Sequence, residues 1–316
     1  MPTFERSPAP TRRGVLRGAL GLGTLAIAAL TGCAPNPEAP DPTRGGPSGT
    51  DAPPAPEPSR SASAGPSATP QPRAAAVMSR AEAVAKYHGR KPGTFGLDVP
   101  GIQLGLPRGS KTAALTFDAC GGPGGALFDP ALITALRDAE APATLFVNQR
   151  WARANRSLAA ELAADPLFEI ANHGTSHAPL GTAGQMAYGI PGTASVGQAY
   201  DEIMGNQRYL QEEFGLTAKF FRSGTAHMDQ VGAALCRDLG LVPMNFTVNL
   251  DAGATFPAST VAEQVGGLRA GDVGIGHFNR PDSGTAAGVR QGLKTLQDAG
   301  VELVRLSQGP ARGTQM

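Results

Sequence analysis

The fold is decided by the stretch TAALTFD, residues Thr112–Asp118, an apolar run that ends in a carboxylate. Two other apolar runs end in a similar way. Asp272–Phe278 carries His277 close to its end, and Phe168–Asn172 is followed at once by His173. Apolar strands that end in ionisable side chains are typical of α/β barrels, in which the carboxyl ends of the strands meet at one face. The pattern therefore predicts such a barrel.

From residue 111 onward, apolar runs alternate with longer helical patterns, which is the order expected of a parallel α/β sheet. Closure of that sheet removes its exposed edges, so we predict a distorted (β/α)7 barrel, with an open doubly wound sheet as the alternative. The predicted strands are Thr112–Asp118, Ala143–Asn148, Phe168–Asn172, Lys219–Arg222, Val242–Val248, Asp272–Phe278 and Glu302–Leu306. The predicted helices are Pro130–Asp138, Arg156–Ala164, Val196–Phe214, Asp229–Leu239, Ala258–Leu268 and Ala286–Asp298.

A pair of histidines, His173 and His177, lies in the segment NHGTSH at residues 172–177. Side chains four residues apart on one turn point the same way, so both imidazoles could bind one divalent metal ion. The bland alternative is that the pair caps a loop. Other ionisable residues also follow predicted strand ends, namely Asp118, Arg222, Asp251 and His277. Their convergence at one end of a barrel favours a metal-assisted hydrolase.

The first 33 residues predict an export signal rather than a part of the fold. Arg12 and Arg13 precede an apolar run from Gly18 to Leu30, which is too short to span a bilayer and ends just before Cys33. The paired arginines resemble a twin-arginine signal, and the cysteine resembles the acylation site of a bacterial lipoprotein. An ordinary signal peptide with a chance cysteine is the alternative. We expect acylation of Cys33 and a lipid anchor on the outer face of the cytoplasmic membrane.

The next segment, residues 34–77, predicts a stalk. Residues 34–73 contain twelve prolines and no aromatic residue, so they cannot bury enough apolar surface to offset the entropy of ordering them. An extended, semi-rigid segment of this kind would hold the domain of residues 78–316 away from the membrane.

Composition limits the partners of that domain. A formal net charge of +1, without a basic run, argues against nucleic acid. Only Cys120 and Cys236 follow the signal, which is no disulfide framework, so we expect two free thiols. We also expect the domain to be monomeric.

Five motifs, spread over the whole predicted barrel, resemble those of the polysaccharide deacetylases of carbohydrate esterase family four. The residues TFD at 116–118 are similar to the start of the family's first motif, Thr-Phe-Asp-Asp, and His173–His177 is similar to its histidine pair. Phe221–Gly224 resembles the arginine motif. Asp251 stands where the fourth motif is expected, and His277 with the glycine before it resembles the final motif.

The resemblance implies hydrolysis of the N-acetyl group of an amino sugar with the help of a divalent metal ion. Zinc is the expected metal, with cobalt or nickel as alternatives, and His173 and His177 are the implied ligands. In the same way the resemblance implies that Asp118 acts as general base and His277 as general acid. It implies that Arg222 orients the base through a charge-assisted hydrogen bond.

The sequence allows two roles for each of two further residues, Asp251 and Trp151. Asp251 could orient His277, as a carboxylate behind a catalytic imidazole does, or it could cap a loop. Trp151 could stack on a sugar ring, or it could pack in the core or at the rim of the barrel.

The chain departs from the family at Ala119, where the family has a second aspartate that serves as the third metal ligand. Asp118 itself, a thiolate from Cys120, or water could take its place. Cys120 shares the face of Asp118 if the strand continues that far, because successive strand residues point to opposite faces. It could equally be a small buried residue. We favour a metal on His173 and His177 with Asp118 nearby.

Together these features predict a surface-anchored deacetylase of an N-acetylated envelope glycan, either peptidoglycan or a chitin-like polymer. Peptidoglycan is favoured because the stalk places the domain in the wall. A barrel without catalytic power that binds envelope glycans is one alternative, since Ala119 removes a ligand. A hydrolase of another non-peptide C–N bond is the other. Asp118 and His277 favour the enzyme, because a binding protein needs neither a base nor an acid.

Overall fold

The computed structural model describes residues 77–309, so the predicted signal, Cys33 and all but the last residue of the stalk lie outside the described residues. The strands are β1 Phe95–Gly96, β2 Ala114–Ala119, β3 Ala143–Val147, β4 Phe168–Asn172, β5 Met186–Ala187, β6 Ile190–Pro191, β7 Phe220–Phe221, β8 Met228–Asp229, β9 Val242–Pro243, β10 Val248–Asn249 and β11 Val273–His277. The helices are α1 Arg80–Lys86, α2 Pro130–Asp138, α3 Gln149–Ala154, α4 Arg156–Ala164, α5 Val196–Phe214, α6 Gln230–Asp238, α7 Ala258–Gly266 and α8 Thr285–Asp298. Within this range, none of the helices combines the length and the apolar character needed to cross a membrane.

Seven of the strands form one parallel sheet in the order β10-β11-β2-β3-β4-β7-β9. The strands at its two ends, β9 and β10, are separated in the chain by residues 244–247 alone. So short a link keeps the two ends of the sheet close together, and the sheet curls into the predicted distorted (β/α)7 barrel.

One predicted strand, Val242–Val248, is in fact two. The segment changes partner half-way along: the amide of Met244 donates to the carbonyl of Phe221 in β7, whereas the amide of Thr247 donates to that of Val273 in β11. The ladder is broken between these two bonds. This change of partner is what joins the two ends of the sheet.

The predicted strand Glu302–Leu306 is wrong. The segment forms a single bridge, between Ala113 and Leu303. Its backbone then leaves the sheet, because the amide of Leu306 donates to the hydroxyl of Thr144 at 3.0 Å and a 3₁₀ helix, Leu306–Gln308, begins there.

Capping residues fix the helix bounds. Three helices, α2, α4 and α5, begin and end at the predicted residues. The side chains of Asp129 and Ser195 accept hydrogen bonds from the first turns of α2 and α5, and Gly215 ends α5 in the left-handed conformation. The sequence does not predict α3, a six-residue helix capped by Asn148.

The core lies on both faces of the sheet. Every residue of β2 and β3 is buried. On the outside, α8 packs tightly on α7, because Gly288 and Gly292 leave no side chain between the helix backbones. Cys236 is fully buried in a cluster beside α6, and both Cys120 and Cys236 are free thiols, as predicted.

Candidate active site

A cavity of about 550 Å³ lies at the carboxyl ends of the strands. Asp118, near the end of β2, and His277, at the end of β11, both line it, together with Cys120 and His177. The structure brings His173, Arg222 and Asp251 to the same end through direct contacts with these residues. All six site residues predicted within the barrel therefore converge, as the positions of the strand ends indicated.

A buried ion pair joins Asp118, which lines the cavity, to Arg222 behind it. Asp118 Oδ1 accepts a hydrogen bond of 2.7 Å from Arg222 Nη1, and the two residues are 3% and 0% exposed. Three of the four remaining guanidinium donors are used as well, by the hydroxyl of Thr116 at 2.9 Å and by the carbonyls of Met244 and Asn245. Because each charge is paired and hydrogen-bonded, the two charged groups can remain ionised although they are buried away from water.

The electrostatics keep Asp118 ionised. Burial by itself would raise the pKa of this carboxyl group, but Arg222, together with His173 and His277, lowers it below its ordinary value. Since Oδ1 is held by Arg222, Oδ2 is the oxygen left to take up a proton, and it lies 3.6 Å from His173 Nε2. The arrangement supplies an oriented, charged carboxylate at neutral pH.

His173 is fixed in orientation by the backbone. Its Nδ1 lies 2.9 Å from the carbonyl oxygen of Arg222, and because a carbonyl can only accept, Nδ1 must carry a proton. The other nitrogen, Nε2, is therefore the one that can bind a metal. Burial lowers the pKa of His173, but Asp118 and Cys120 outweigh burial and raise it above its usual value.

The histidine pair lies on a loop rather than on a helical turn. The rings of His173 and His177 are 4.9 Å apart and almost perpendicular, and His177 adopts a left-handed backbone with φ of 63°. The segment after Arg222 passes so close that a Cβ atom at Gly224 would collide with the carbonyl of His177. A strained backbone of this kind persists only where contacts with neighbouring segments enforce it, and such strain is common at active sites.

Glu202 on α5 supplies much of that restraint. Its buried carboxylate accepts hydrogen bonds from the amides of Ser176 and Ala178, and a third from the Ser176 hydroxyl at 2.6 Å. The role of Glu202 is not predictable from the sequence. Glu202 lies within a correctly predicted helix, but a buried charge that clamps a distant loop has no local sequence signal.

Cys120 completes a compact group of possible metal ligands. The ligand atoms of Cys120, His173 and His177 all lie within 4.8 Å of one another, and Sγ is 3.9 Å from His173 Nε2. Burial would raise the pKa of the thiol, but the neighbouring imidazoles of His173, His177 and His277 bring it well below its usual value. One thiolate and two imidazoles are a donor set that zinc readily accepts, so these residues fit a divalent metal.

On the other side of the cavity, His277 is held by Asp251. The distance from His277 Nδ1 to Asp251 Oδ1 is 2.9 Å, and the backbone amide of His277 donates to Oδ2 at 2.7 Å. The hydroxyl of Thr285 also donates to Oδ2. Burial lowers the pKa of His277, but Asp251 and Cys120 raise it well above its usual value. Of the two interpretations of Asp251, the geometry favours orientation of the imidazole.

The cavity rim, which we define as Tyr188 and Arg280, comes from loops, and His227 packs behind Tyr188. Tyr188 is 79% exposed and lines the cavity at the turn between β5 and β6. Its ring meets that of His227 edge-on at 5.3 Å, and its backbone is left-handed with φ of 51°. An exposed aromatic ring in a costly backbone conformation beside a cavity suits contact with a ligand. The sequence signal, a tyrosine before Gly189, is too weak to predict it.

Trp151 has no place in the cavity. It is fully buried, its indole nitrogen donates to the carbonyl of Leu127 at 2.8 Å, and its ring packs edge-on against Phe278 at 5.0 Å. Of its two interpretations, packing in the core is the correct one, and stacking on a sugar ring is wrong.

The polysaccharide deacetylase family model matches residues 105–244, a range that contains Asp118, the histidine pair and Arg222. Over these residues the chain is similar to the polysaccharide deacetylases, as its motifs predicted. No curated protein matches the chain.

Solved structures of carbohydrate esterase family 4 share the fold. A family 4 pseudoenzyme from Bacillus anthracis is 17% identical with a TM-score of 0.56, covering 67% of this chain and 69% of that one. A peptidoglycan N-acetylglucosamine deacetylase is 18% identical with a TM-score of 0.55, covering 66% and 92%. A family 4 esterase from Streptomyces lividans in complex with acetate is 24% identical with a TM-score of 0.51, covering 64% and 96%. At these identities the likeness supports the barrel, and the chemistry rests on the residues of this chain.

Proposed function

We propose that the protein is a metal-dependent hydrolase that removes N-acetyl groups from an amino-sugar polymer of the cell envelope. The observation that carries the proposal is a carboxylate and an imidazole that line one cavity and are each held by an oppositely charged partner. Asp118 Oδ1 accepts a hydrogen bond from Arg222 at 2.7 Å, and His277 Nδ1 lies 2.9 Å from Asp251 Oδ1. These contacts lower the pKa of Asp118 and raise that of His277. An amide hydrolase needs such a base and such an acid at the same pH.

The histidine pair would hold the metal, because His173 Nε2 is left free by the bond to the Arg222 carbonyl and His177 lies beside it. When bound, a divalent ion polarises the acetyl carbonyl and acidifies water. The donor set favours zinc, with cobalt or nickel as alternatives.

The chain itself supplies the proton transfers. Asp118 Oδ2 takes the proton of the attacking water, since Oδ1 is occupied by Arg222. Nδ1 of His277 is bonded to Asp251, so Nε2 donates the proton to the leaving amine of the sugar. Arg222 and Asp251 act as positioning residues, because each orients one of the two groups without facing the substrate.

We infer the location of the substrate from the predicted signal and stalk. An export signal, an acylated Cys33 and a proline-rich stalk would place the domain on the outer face of the cytoplasmic membrane and within reach of the wall. Peptidoglycan is therefore the proposed substrate. Labelling of cells with a radioactive fatty acid tests the anchor, and an unlabelled protein contradicts it.

The alternative is a barrel that binds glycans without cleaving them. Ala119, which removes a carboxylate that the family carries, favours it, and a similar fold occurs in a family 4 pseudoenzyme. The alternative predicts glycan binding without acetate release.

Acetate release from purified peptidoglycan and from chitin oligomers, measured on the full chain with and without added zinc, separates these functions. The proposal predicts zinc-dependent release with a preference for peptidoglycan. The variant Arg290→Ala is the matched control, because Arg290 forms an exposed ion pair with Asp138 outside the cavity. Its rate should equal that of the wild type. Binding of either glycan with no release at any zinc concentration contradicts the proposal.

A further inference from the structure

We propose that the thiolate of Cys120 is the third metal ligand, so that this chain builds a Cys-His-His site where its relatives use a carboxylate. The inference rests on the metal dependence of the proposed function. It concerns how this particular chain compensates for Ala119.

The direction of side chains along β2 favours Cys120 over position 119 as the source of the third ligand. Ala119 is fully buried and belongs to the hydrophobic core on the helix side of the sheet. Its neighbours Asp118 and Cys120 both line the cavity. Successive residues of a strand point to opposite faces, so a side chain at position 119 is directed into the core and one at position 120 is directed at the histidine pair.

Asp118 is already hydrogen-bonded to Arg222 and lies outside the compact group of ligand atoms. Its Oδ1 accepts the 2.7 Å bond from Arg222. The compact group of ligand atoms within 4.8 Å of one another comprises Cys120, His173 and His177. Asp118, held by the buried Arg222, then serves only as the general base, and the thiolate of Cys120 serves only as a metal ligand. Asp118 therefore need not both bind the metal and accept a proton.

The loop that carries Cys120 is restrained by its own hydrogen bonds and by close packing. Gly121 and Gly122 follow it with φ of 66° and 75°, and the amide of Gly121 donates to the carbonyl of Gly125 at 3.1 Å. A Cβ atom at Gly121 would collide with the backbone of Trp151. The glycine loop thus allows a tight turn against α3, which fixes the thiol beside His173 before any metal arrives.

A thiolate ligand has consequences that a carboxylate lacks. Soft sulfur donors favour zinc over magnesium, calcium or manganese, and a thiol bound to a metal is shielded from alkylation. The absorption of a metal–thiolate bond and the shielding of the thiol from alkylation give two tests that do not require the enzyme to turn over.

Cobalt substitution of the full chain tests the ligand by absorption. A cobalt–thiolate bond gives a charge-transfer band in the near ultraviolet, so the wild type should show this band at one equivalent. The band should vanish in Cys120→Ser and persist in Cys236→Ala, since Cys236 is buried in the core. Zinc affinity of Cys120→Ser should fall by about 100-fold or more, beyond the 10–100-fold typical of losing a residue behind a ligand.

Alkylation provides a second measurement that needs no variant. Zinc should slow the reaction of iodoacetamide with Cys120, read from the mass of its peptide, and leave the rate at Cys236 unchanged. Stoichiometric cobalt without the band, or unchanged alkylation of Cys120 on zinc loading, overturns the inference. A band without acetate release leaves the ligand in place and overturns the proposed function instead. A wild type that binds no cobalt overturns both.

Discussion

The base and the rim of the cavity are built in opposite ways. At the base, which we define as Asp118, His173 and Arg222, the side chains are at most 3% exposed and every charge has a hydrogen-bonded partner. At the rim, Tyr188 is 79% exposed, and its ring contacts that of His227. The base comes from strand ends or the residues next to them, and the rim from loops. Under the proposed function, the base would carry out the chemistry and the rim would bind the glycan.

The largest effect is expected at the base, from Asp118→Asn. This change removes the general base, so acetate release should fall about 10²–10⁴-fold. It also leaves the buried Arg222 without an anion, so the free energy of unfolding in urea should fall by about 3 kcal/mol. Arg290→Ala, at the surface, should change neither quantity by much.

The stability deficit of Asp118→Asn should depend on pH. The folded state lowers the pKa of Asp118, so the contribution of its charge is fully present above the ordinary carboxyl pKa. That contribution is lost as pH falls through the lowered value. Unfolding free energies of the variant and the wild type should therefore converge in acid. A deficit that stays constant at every acid pH at which the wild type remains folded would contradict a role for the charge.

A smaller effect is expected from Asp251→Asn, because Asp251 acts through His277. The raised pKa of His277 keeps it protonated at neutral pH, and activity should decline as pH rises through that value. Removing the Asp251 charge lowers this pKa, so the high-pH decline should move to lower pH and the neutral rate should fall about 10-fold. Thr285→Val, which removes one hydrogen bond to Asp251 but keeps its charge, is the control. An unmoved pH profile in Asp251→Asn would count against His277 as the acid.

The smallest effect is expected at the rim. Tyr188→Ala should raise KM for the glycan about 2–10-fold, the equivalent of 0.5–1.5 kcal/mol of aromatic contact, and leave kcat unchanged. Met186→Ala on the same hairpin is the control, since Met186 is 59% exposed and does not line the cavity. Equal KM values in both variants would show that the hairpin does not bind the glycan.

The same contrast explains what the sequence could predict. Asp118 and His277 are predictable because each lies at the end of an apolar run, and the carboxyl ends of parallel strands must meet. The alternation of strands with helices and the bounds of three helices are predictable because periodicity and caps are local. Glu202 and Tyr188 are not, because their roles depend on loops with left-handed residues and on partners far along the chain. For the same reason Glu302–Leu306, an apolar run, is wrongly predicted as a strand.

Titration of zinc into the chelator-treated full chain, with acetate release from peptidoglycan measured at each step, tests the central claim most directly. The claim is that His173 and His177 hold a metal ion that supports catalysis despite Ala119. The account predicts no release without metal and a rate that rises linearly to a plateau at one equivalent of zinc. Release that persists without metal, or the absence of release at every zinc concentration, would contradict it.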